Sequence, residues 1–418
     1  MTYLAGTDRT DLQSPHVTQG IAALQRKFFW LIGAAGAIVF IEPSPFELAM
    51  IMAFIVMIVT GLRLPRAAFP LIVLLVGLNI GYSVSAIQVM EKPEVIYWIL
   101  TSWYMALACT FFALTLVDDT AGRLDALSRG YLFGALIAAV AAIVGYFHLI
   151  PGTEELLTYA GRAKGTFKDP NVLGAFLVYP AVYCVQRIVD SSFWPAFRSA
   201  CALLILSLAN FLAFSRGAWA VFVGSAMLAV ILMYITAPTN RQRVRIILLA
   251  SLSIALGVIA IIALLSSDQV ASLFEERASL TQSYDVGRFG RFGRHLLGAE
   301  MALDYPFGIG PLQFARFFTE HTHNSFLNAF MSGGWLSGLI YLILIATTLL
   351  LGTRAVLQPT PWRNLYIIVF STFVVTTFES FIIDVDHWRH YYMLLGLVWG
   401  ISIASARYTM RRRAGLAP

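Results

Sequence analysis

One polar stretch, residues 285–328, holds most of the chemically capable side chains of an otherwise apolar chain. Its GRFGRFGR motif repeats an arginine every third residue, at Arg288, Arg291 and Arg294. Arginine suits a diphosphate because its planar guanidinium donates two parallel hydrogen bonds and stays charged at any relevant pH. His321 and His323 follow, and a histidine titrates near neutrality, so it can take a proton from an attacking hydroxyl. The stretch therefore predicts anion binding beside proton transfer.

The composition indicates an integral membrane protein. Of 418 residues, 58% are hydrophobic and only 12% are charged, with a mean hydropathy of +0.74. A soluble fold could not keep that much apolar surface out of water. The three cysteines, Cys109, Cys184 and Cys201, lie in apolar runs, so we expect small core residues rather than disulfides or a zinc site.

Twelve apolar runs approach the roughly 20 residues that a membrane-spanning helix needs. They are residues 24–41, 46–62, 68–90, 94–117, 130–150, 171–189, 199–214, 217–236, 246–265, 324–352, 365–383 and 390–406. We therefore expect an all-α polytopic membrane protein with about 12 transmembrane helices, forming a single integral membrane domain over residues 1–418. Residues 266–323 form its one long connection, a loop subdomain with short helices of its own.

The lysines and arginines set the expected orientation. Placing the N-terminus in the cytoplasm puts most of them into cytoplasmic connections, as the positive-inside rule requires. Both termini are then cytoplasmic, and the loop 266–323 lies outside. Basic residues that remain outside run against this bias, so we expect them to bind an anion. Besides the loop arginines they include Arg162, Lys164, Lys168 and Arg216.

Helices that run from outside to inside begin at this outer face, where unsatisfied N–H groups favour anions, and four of their starts carry polar signals. KDPN begins one with Asp169 as its cap, SRG begins another with Ser215, and HTHNS begins a third with Asn324 or Ser325. The fourth follows DVDHWRH. We expect Asn171 and Asn324, at two of these starts, to help bind the anion. The alternative is that polar caps and arginines only satisfy the helix ends.

One alternative for His321 and His323 is that they lie at the membrane interface and only cap or hydrogen-bond. A second alternative is a metal site that would join His321, His323, His387, Asp384 and Asp386. Two histidines one residue apart on a loop are weak metal ligands, so we predict no metal.

A transporter or flippase is the alternative function. Ion-coupled transporters place ionisable residues deep in the bundle, whereas Glu379 is the main such residue within these spans. The chain also lacks a Walker-type phosphate loop. An activated substrate delivered from the membrane is the simplest energy source.

Several segments resemble the O-antigen ligase and O-antigen polymerase superfamily. The segment 291–306, the GIGPLQF motif with Gly308, Gly310 and Phe314, and HTHNSFL are similar to its signature region. FSRGAW around Arg216 and GTFKDPNVLGAFL after Arg162 are similar to that family as well. The resemblance covers roughly residues 160–345.

The resemblance implies a GT-C-like, inverting glycosyltransferase of the bacterial inner membrane, working on the periplasmic face without metal or other cofactor. Such enzymes move a glycan from undecaprenyl diphosphate to an acceptor, either lipid A–core (ligase) or another lipid-linked chain (polymerase). Arg216 and Arg291 would bind the diphosphate, and His323 would assist the attacking hydroxyl. Arg288 competes with Arg291 for the motif position, and His295 stands where the family usually has an aromatic residue.

The expected site follows from these arguments together. The catalytic residues are His323, Arg216 and Arg291. The substrate-binding residues are Arg288, Arg162, Lys164, Lys168, Asn171, His321 and Asn324. The expected partners are the lipid-linked donor, the acceptor glycan and the bilayer, without nucleic acid, and the oligomeric state stays open.

Overall fold

The computed structural model describes residues 15–278, 287–318 and 320–415, and 77% of the chain is helical. The helices are α1 (Pro15–Ala35), α2 (Pro45–Val59), α3 (Phe69–Ala86), α4 (Pro93–Thr115), α5 (Thr120–Tyr146), α6 (Glu154–Leu157), α7 (Pro170–Asp190), α8 (Phe193–Leu212), α9 (Arg216–Thr236), α10 (Asn240–Leu264), α11 (Asp268–Ala278), α12 (Arg291–Asp304), α13 (Ser325–Val356), α14 (Arg363–Glu379) and α15 (Arg389–Arg413). One antiparallel hairpin, β1 (Thr158–Tyr159) and β2 (Arg162–Ala163), was not predicted. The expected all-α class is confirmed.

Each of the twelve apolar runs coincides with one helix, although several boundaries move. Nine helices of the described chain are long and apolar enough to cross a membrane: α3 with its flanking 3-10 turns, α4, α5, α7, α8, α9, α10, α13 and α15. The others fall short because α2 has 15 residues, α14 has 17, and α1 begins with a polar segment. The chain is therefore a multi-pass membrane protein, and twelve crossings stay a prediction.

The helices pack around α7 and α15, the two most buried spans. α7 packs against α5, α8, α9 and α14, whereas α15 packs against α4, α13 and α14. By contrast, Ile246 is the single buried residue of α10, which presents leucines and isoleucines to its surroundings. Such a surface suits lipid rather than water. Cys109 and Cys184 are buried as predicted, but the prediction for Cys201 was wrong, because it lies on an exposed side of α8.

The predicted caps form at three helix starts. Asp169 accepts from the backbone N–H groups of Asn171 and Val172 and begins α7. Ser215 accepts from the N–H of Ala218 at the start of α9, and Asn324 accepts from the N–H of Leu327 at the start of α13. These side chains satisfy donors that would otherwise lack partners.

α13 is broken at Gly334, where φ is +67°. In an unbroken helix the N–H of Trp335 would donate to the carbonyl of Met331. Here Trp335 donates to Pro306 at 2.9 Å, and Met331 accepts from Ile309 at 2.8 Å. The FGIG turn (residues 307–310) and the preceding Pro306 therefore supply partners for both groups of the missing helical hydrogen bond. This insertion fixes the C-terminal part of the loop 266–323 against the bundle.

Contacts between connections fall into two groups, one at each end of the bundle. At one end, here the loop end, Arg162 before α7 donates to the carbonyl of Ala213 after α8, and Arg291 and the start of α13 contact the connection 380–388. At the other end, Arg26 pairs with Asp119, and Arg363 donates to the carbonyl of Thr236.

Candidate functional site

The Asp384 carboxylate holds the segment that carries His323. Its Oδ2 accepts the backbone N–H of His323 at 3.0 Å, and its Oδ1 accepts the N–H of Asn324 at 2.8 Å. The hydroxyl of Thr322 donates to the same Oδ1 at 2.9 Å. His323 has a φ of +47°, which is costly for a residue with a side chain. Three hydrogen bonds to one carboxylate offset that cost and hold the backbone that carries the imidazole.

The surroundings keep His323 neutral. Burial, followed by the nearby Arg291 guanidinium, lowers the pKa of His323 to about 4, although Glu320 opposes the change. The imidazole is therefore unprotonated at neutral pH and can accept a proton. Glu320 lies 4.0 Å from its Nε2. Burial and the nearby Asp386 raise the pKa of Asp384 to about 7, while its three donors act in the opposite direction.

The two candidate loop arginines lie in different surroundings. Arg291 is the first residue of α12, and its Nη1 donates to the carbonyl of Ile382 at 3.4 Å, two residues before Asp384. Its positive charge also lowers the pKa of His323. Arg288 is exposed, and its guanidinium lies 6.0 Å from the ring centroid of Phe289. The structure therefore brings Arg291, and not Arg288, beside His323.

Two further residues of α12 support this arrangement, and neither was among the predicted site residues. Arg294 is only 3% exposed and pairs with Glu320. His295 donates through its Nε2 to the carbonyl of Thr322 at 2.9 Å. Arg291, Arg294 and His295 share one face of the helix because residues three and four apart are neighbours. The helix thus holds the segment 320–323 from one side while Asp384 holds it from the other.

Arg162 links two of the predicted anion-binding helix starts. Its Nε donates to the carbonyl of Ala213 at 2.8 Å, and its Nη2 donates to the side chain of Asn171, also at 2.8 Å. Ala213 directly follows α8 and precedes Arg216, the first residue of α9, by three residues. Arg162 and Asn171 therefore lie at the junction of α7 and α8, close to the start of α9.

The last turn of α14 joins the arginine junction to the histidine segment. The carbonyl of Ser380 accepts the N–H of Ser325, at the start of α13, at 2.8 Å. The preceding residue, Glu379, packs against α9, with its Oε1 2.7 Å from the position that a Cβ on Gly217 would take. Arg216 and His323 are therefore carried by helix starts that contact the same turn.

The remaining predicted residues are either exposed or form contacts within their own part of the chain. Lys168 is exposed and pairs with Glu42, on the side of α7 that faces α1. Lys164 is half-buried, and its backbone N–H donates to Leu157. His321 is exposed, and Asn324 uses its side-chain oxygen to cap α13.

Within residues 15–278, 287–318 and 320–415, no group of three or more histidine, cysteine or carboxylate side chains could hold a metal ion. The two acidic residues of the metal alternative are engaged elsewhere. Asp384 accepts from segment 322–324, and Asp386 accepts from the side chain of Asn328 at 2.7 Å.

No protein-family model matches this chain, and no curated protein sequence matches it either. The case for its function therefore depends on the geometry and on the motif resemblance.

Proposed function

We propose that this chain is a membrane glycosyltransferase that moves a glycan from undecaprenyl diphosphate to a sugar hydroxyl on the periplasmic face of the bacterial inner membrane. In its simplest form it is an O-antigen ligase with lipid A–core as acceptor. One observation supports the proposal most. His323, whose pKa is lowered by burial and by Arg291, precedes the start of α13, and this start contacts the last turn of α14. The start of α9, which carries Arg216, contacts the same turn.

In this proposal the donor diphosphate binds between Arg291 and Arg216, at the start of α9. Helix N-termini and arginines both favour anions, and they stabilise the charge that develops on the leaving group. The acceptor hydroxyl gives its proton to His323 while its oxygen attacks the anomeric carbon. The bond from that carbon to the diphosphate oxygen breaks, and undecaprenyl diphosphate leaves with the electron pair. Attack from the opposite face inverts the anomeric configuration.

Donor binding also tunes the base. Arg291 contributes to the lowered pKa of His323, so a diphosphate that neutralises Arg291 raises this pKa toward neutrality. A general base works best when its pKa lies near the working pH. His323 therefore becomes a stronger base when the donor is in place.

Reconstitution tests the transferase. Purified protein in vesicles with a lipid-linked glycan and lipid A–core should release undecaprenyl diphosphate in step with glycosylated acceptor. The R216A protein should insert normally and lose this release. Movement of intact donor across the vesicle without release would favour the flippase instead and overturn the proposal.

The same donor site would serve a polymerase, so the acceptor must be tested separately. A strain lacking the protein should carry bare lipid A–core if the chain is a ligase. Core bearing a single repeat unit would identify a polymerase.

A further inference from the structure

A cavity of about 210 Å³ lies at the loop end of the bundle, among α1, α2, α5, α7 and α15. Apolar side chains form most of its wall, including Ile32, Phe46, Val172 and Phe176. It is smaller than the roughly 300–1,000 Å³ of a typical small-molecule pocket, so it accommodates one segment of a chain. Its size and lining suit part of a hydrocarbon chain.

Two histidines line the polar rim of this cavity, and each has a buried ring nitrogen without a hydrogen-bond partner among the described residues. They are His387 and His390, through their Nε2 atoms. The His390 side chain is 7% exposed and lies between the rings of Trp388 and Phe176. A buried polar nitrogen without a partner is costly, so this rim suits a ligand that hydrogen-bonds there.

The rim carries two cations and one acidic side chain, Asp169, whose carboxylate caps α7. The cations are Arg389 and Lys168, and the first turn of α15, which has no side-chain cap, adds N–H groups that favour negative charge. Each cation has a carboxylate partner: Arg389 pairs with Glu47 at 2.5 Å, and Lys168 pairs with Glu42. The second pair is about half exposed at both side chains, so it is weak and a ligand phosphate can replace Glu42 in it.

The cavity is distinct from the His323 site. Val172 and Phe176 face it from α7, whereas Gly174 of the same helix packs against Ala218 of α9. α7 therefore separates the cavity from the start of α9 that carries Arg216. In the connection to α15, Asp384 contacts the His323 segment, and the residues from His387 onward line the cavity.

We propose that this cavity binds a lipid that carries a phosphate group, with its chain among α1, α2, α7 and α15. Its phosphate contacts His390, Arg389 and Lys168. Lys168, which the sequence assigned to the donor diphosphate, then belongs to this second site. The binding does not require the proposed transfer, but it gives a transferase with two lipid substrates a separate place for the phosphorylated acceptor lipid.

Lipid binding to the purified full-length protein tests this proposal. The probes are phosphatidic acid, diacylglycerol with the same chains, and glycerol phosphate, measured by native mass spectrometry. Phosphatidic acid should bind at least about tenfold more tightly than either fragment, because only it supplies both the chain and the charged hydrogen-bond acceptor. Equal binding of diacylglycerol would show a site for chains alone, and equal binding of glycerol phosphate a site for free phosphate. Either result overturns the proposal.

Two substitutions with opposite expected effects on phosphatidic acid binding test where the phosphate lies. E42Q frees Lys168 from its partner and should tighten phosphatidic acid binding about two- to fivefold, whereas K168Q should weaken it by a similar factor. Both residues are exposed, so the fold tolerates the changes. E155Q is the matched control, because Glu155 is an exposed glutamate that does not line the cavity. If E42Q and E155Q behave alike, the phosphate does not lie at Lys168 and the proposal fails.

Discussion

The carboxylate of Asp384 accepts the backbone N–H of His323 at 3.0 Å, across 61 residues of sequence. Because Asp384 also holds Thr322 and Asn324, it fixes the backbone on both sides of the histidine. In the proposed reaction Asp384 positions the base without touching the substrate.

The D384N variant should lose much of this support. An amide offers one acceptor oxygen in place of two and presents an N–H₂ group to donors. Hydrogen bonds to charged groups contribute about 1.5–3 kcal/mol each, so we expect kcat to fall at least tenfold while the protein still inserts. Steady-state transfer by purified protein measures this. D304N is the control, since Asp304 is exposed in the same loop. Equal kcat for D384N and wild type would contradict a positioning role.

The pH dependence should report on Asp384. Its pKa is raised to about 7, so its carboxylate is ionised above that pH and progressively protonated below it. The pKa of His323 in the free protein is about 4, so His323 stays neutral throughout this window. We expect kcat/KM to fall as the pH drops from 8 to 6, and this fall to disappear in D384N. A profile of D384N that keeps the same acid limb would assign that limb to another group.

Substitution of Arg291 should reduce transfer far more than substitution of Arg288. Arg291 contacts the connection before Asp384, whereas Arg288 is exposed beside Phe289. R291A removes a charge next to the proposed diphosphate, and we expect transfer to fall about a hundredfold, equivalent to about 2.7 kcal/mol. R288A is its matched control and should stay within about threefold of wild type, since exposed charge pairs contribute little. The reverse order of effects would place the diphosphate at Arg288.

The break in α13 should be sensitive to one methyl group. A Cβ on Gly334 would lie 2.3 Å from the carbonyl oxygen of Pro306, and the φ of +67° is itself unfavourable for alanine. G334A should therefore destabilise the docked FGIG turn by more than the about 1–2 kcal/mol of the left-handed conformation alone. Thermal unfolding in detergent measures the loss. G257A is the control, because a Cβ there meets no atom within 4 Å. Unchanged stability of G334A would show that the turn is not held by the break.

The sequence predicted the helices well because apolar runs and caps are local signals. Asp169 and Ser215 begin helices where the sequence places them. The role of Asp384 was missed because its hydrogen bonds join segments far apart in the chain. Asn324 forms one of the two caps that the sequence offered for α13, and its part in binding the anion stays a prediction. The break at Gly334 was hidden because a lone glycine inside an apolar run also fits an unbroken helix.

Lys168 shows why nearby positions in sequence need not share a site. It lies six residues after Arg162, and both were assigned to the donor. Arg162, in β2, donates to the carbonyl of Ala213, whereas Lys168, just before α7, pairs with Glu42. Charge alone therefore identified both as anion-binding candidates without showing that they contact different partners.

Release of undecaprenyl diphosphate by the H323A and H321A variants tests the central claim most directly. Both remove a histidine from the same short segment, but only His323 is fixed by Asp384 and lies beside Arg291. With lipid-linked glycan and lipid A–core supplied to purified protein, H321A should release the product at close to the wild-type rate, and H323A should release almost none. Wild-type release by H323A would contradict the account.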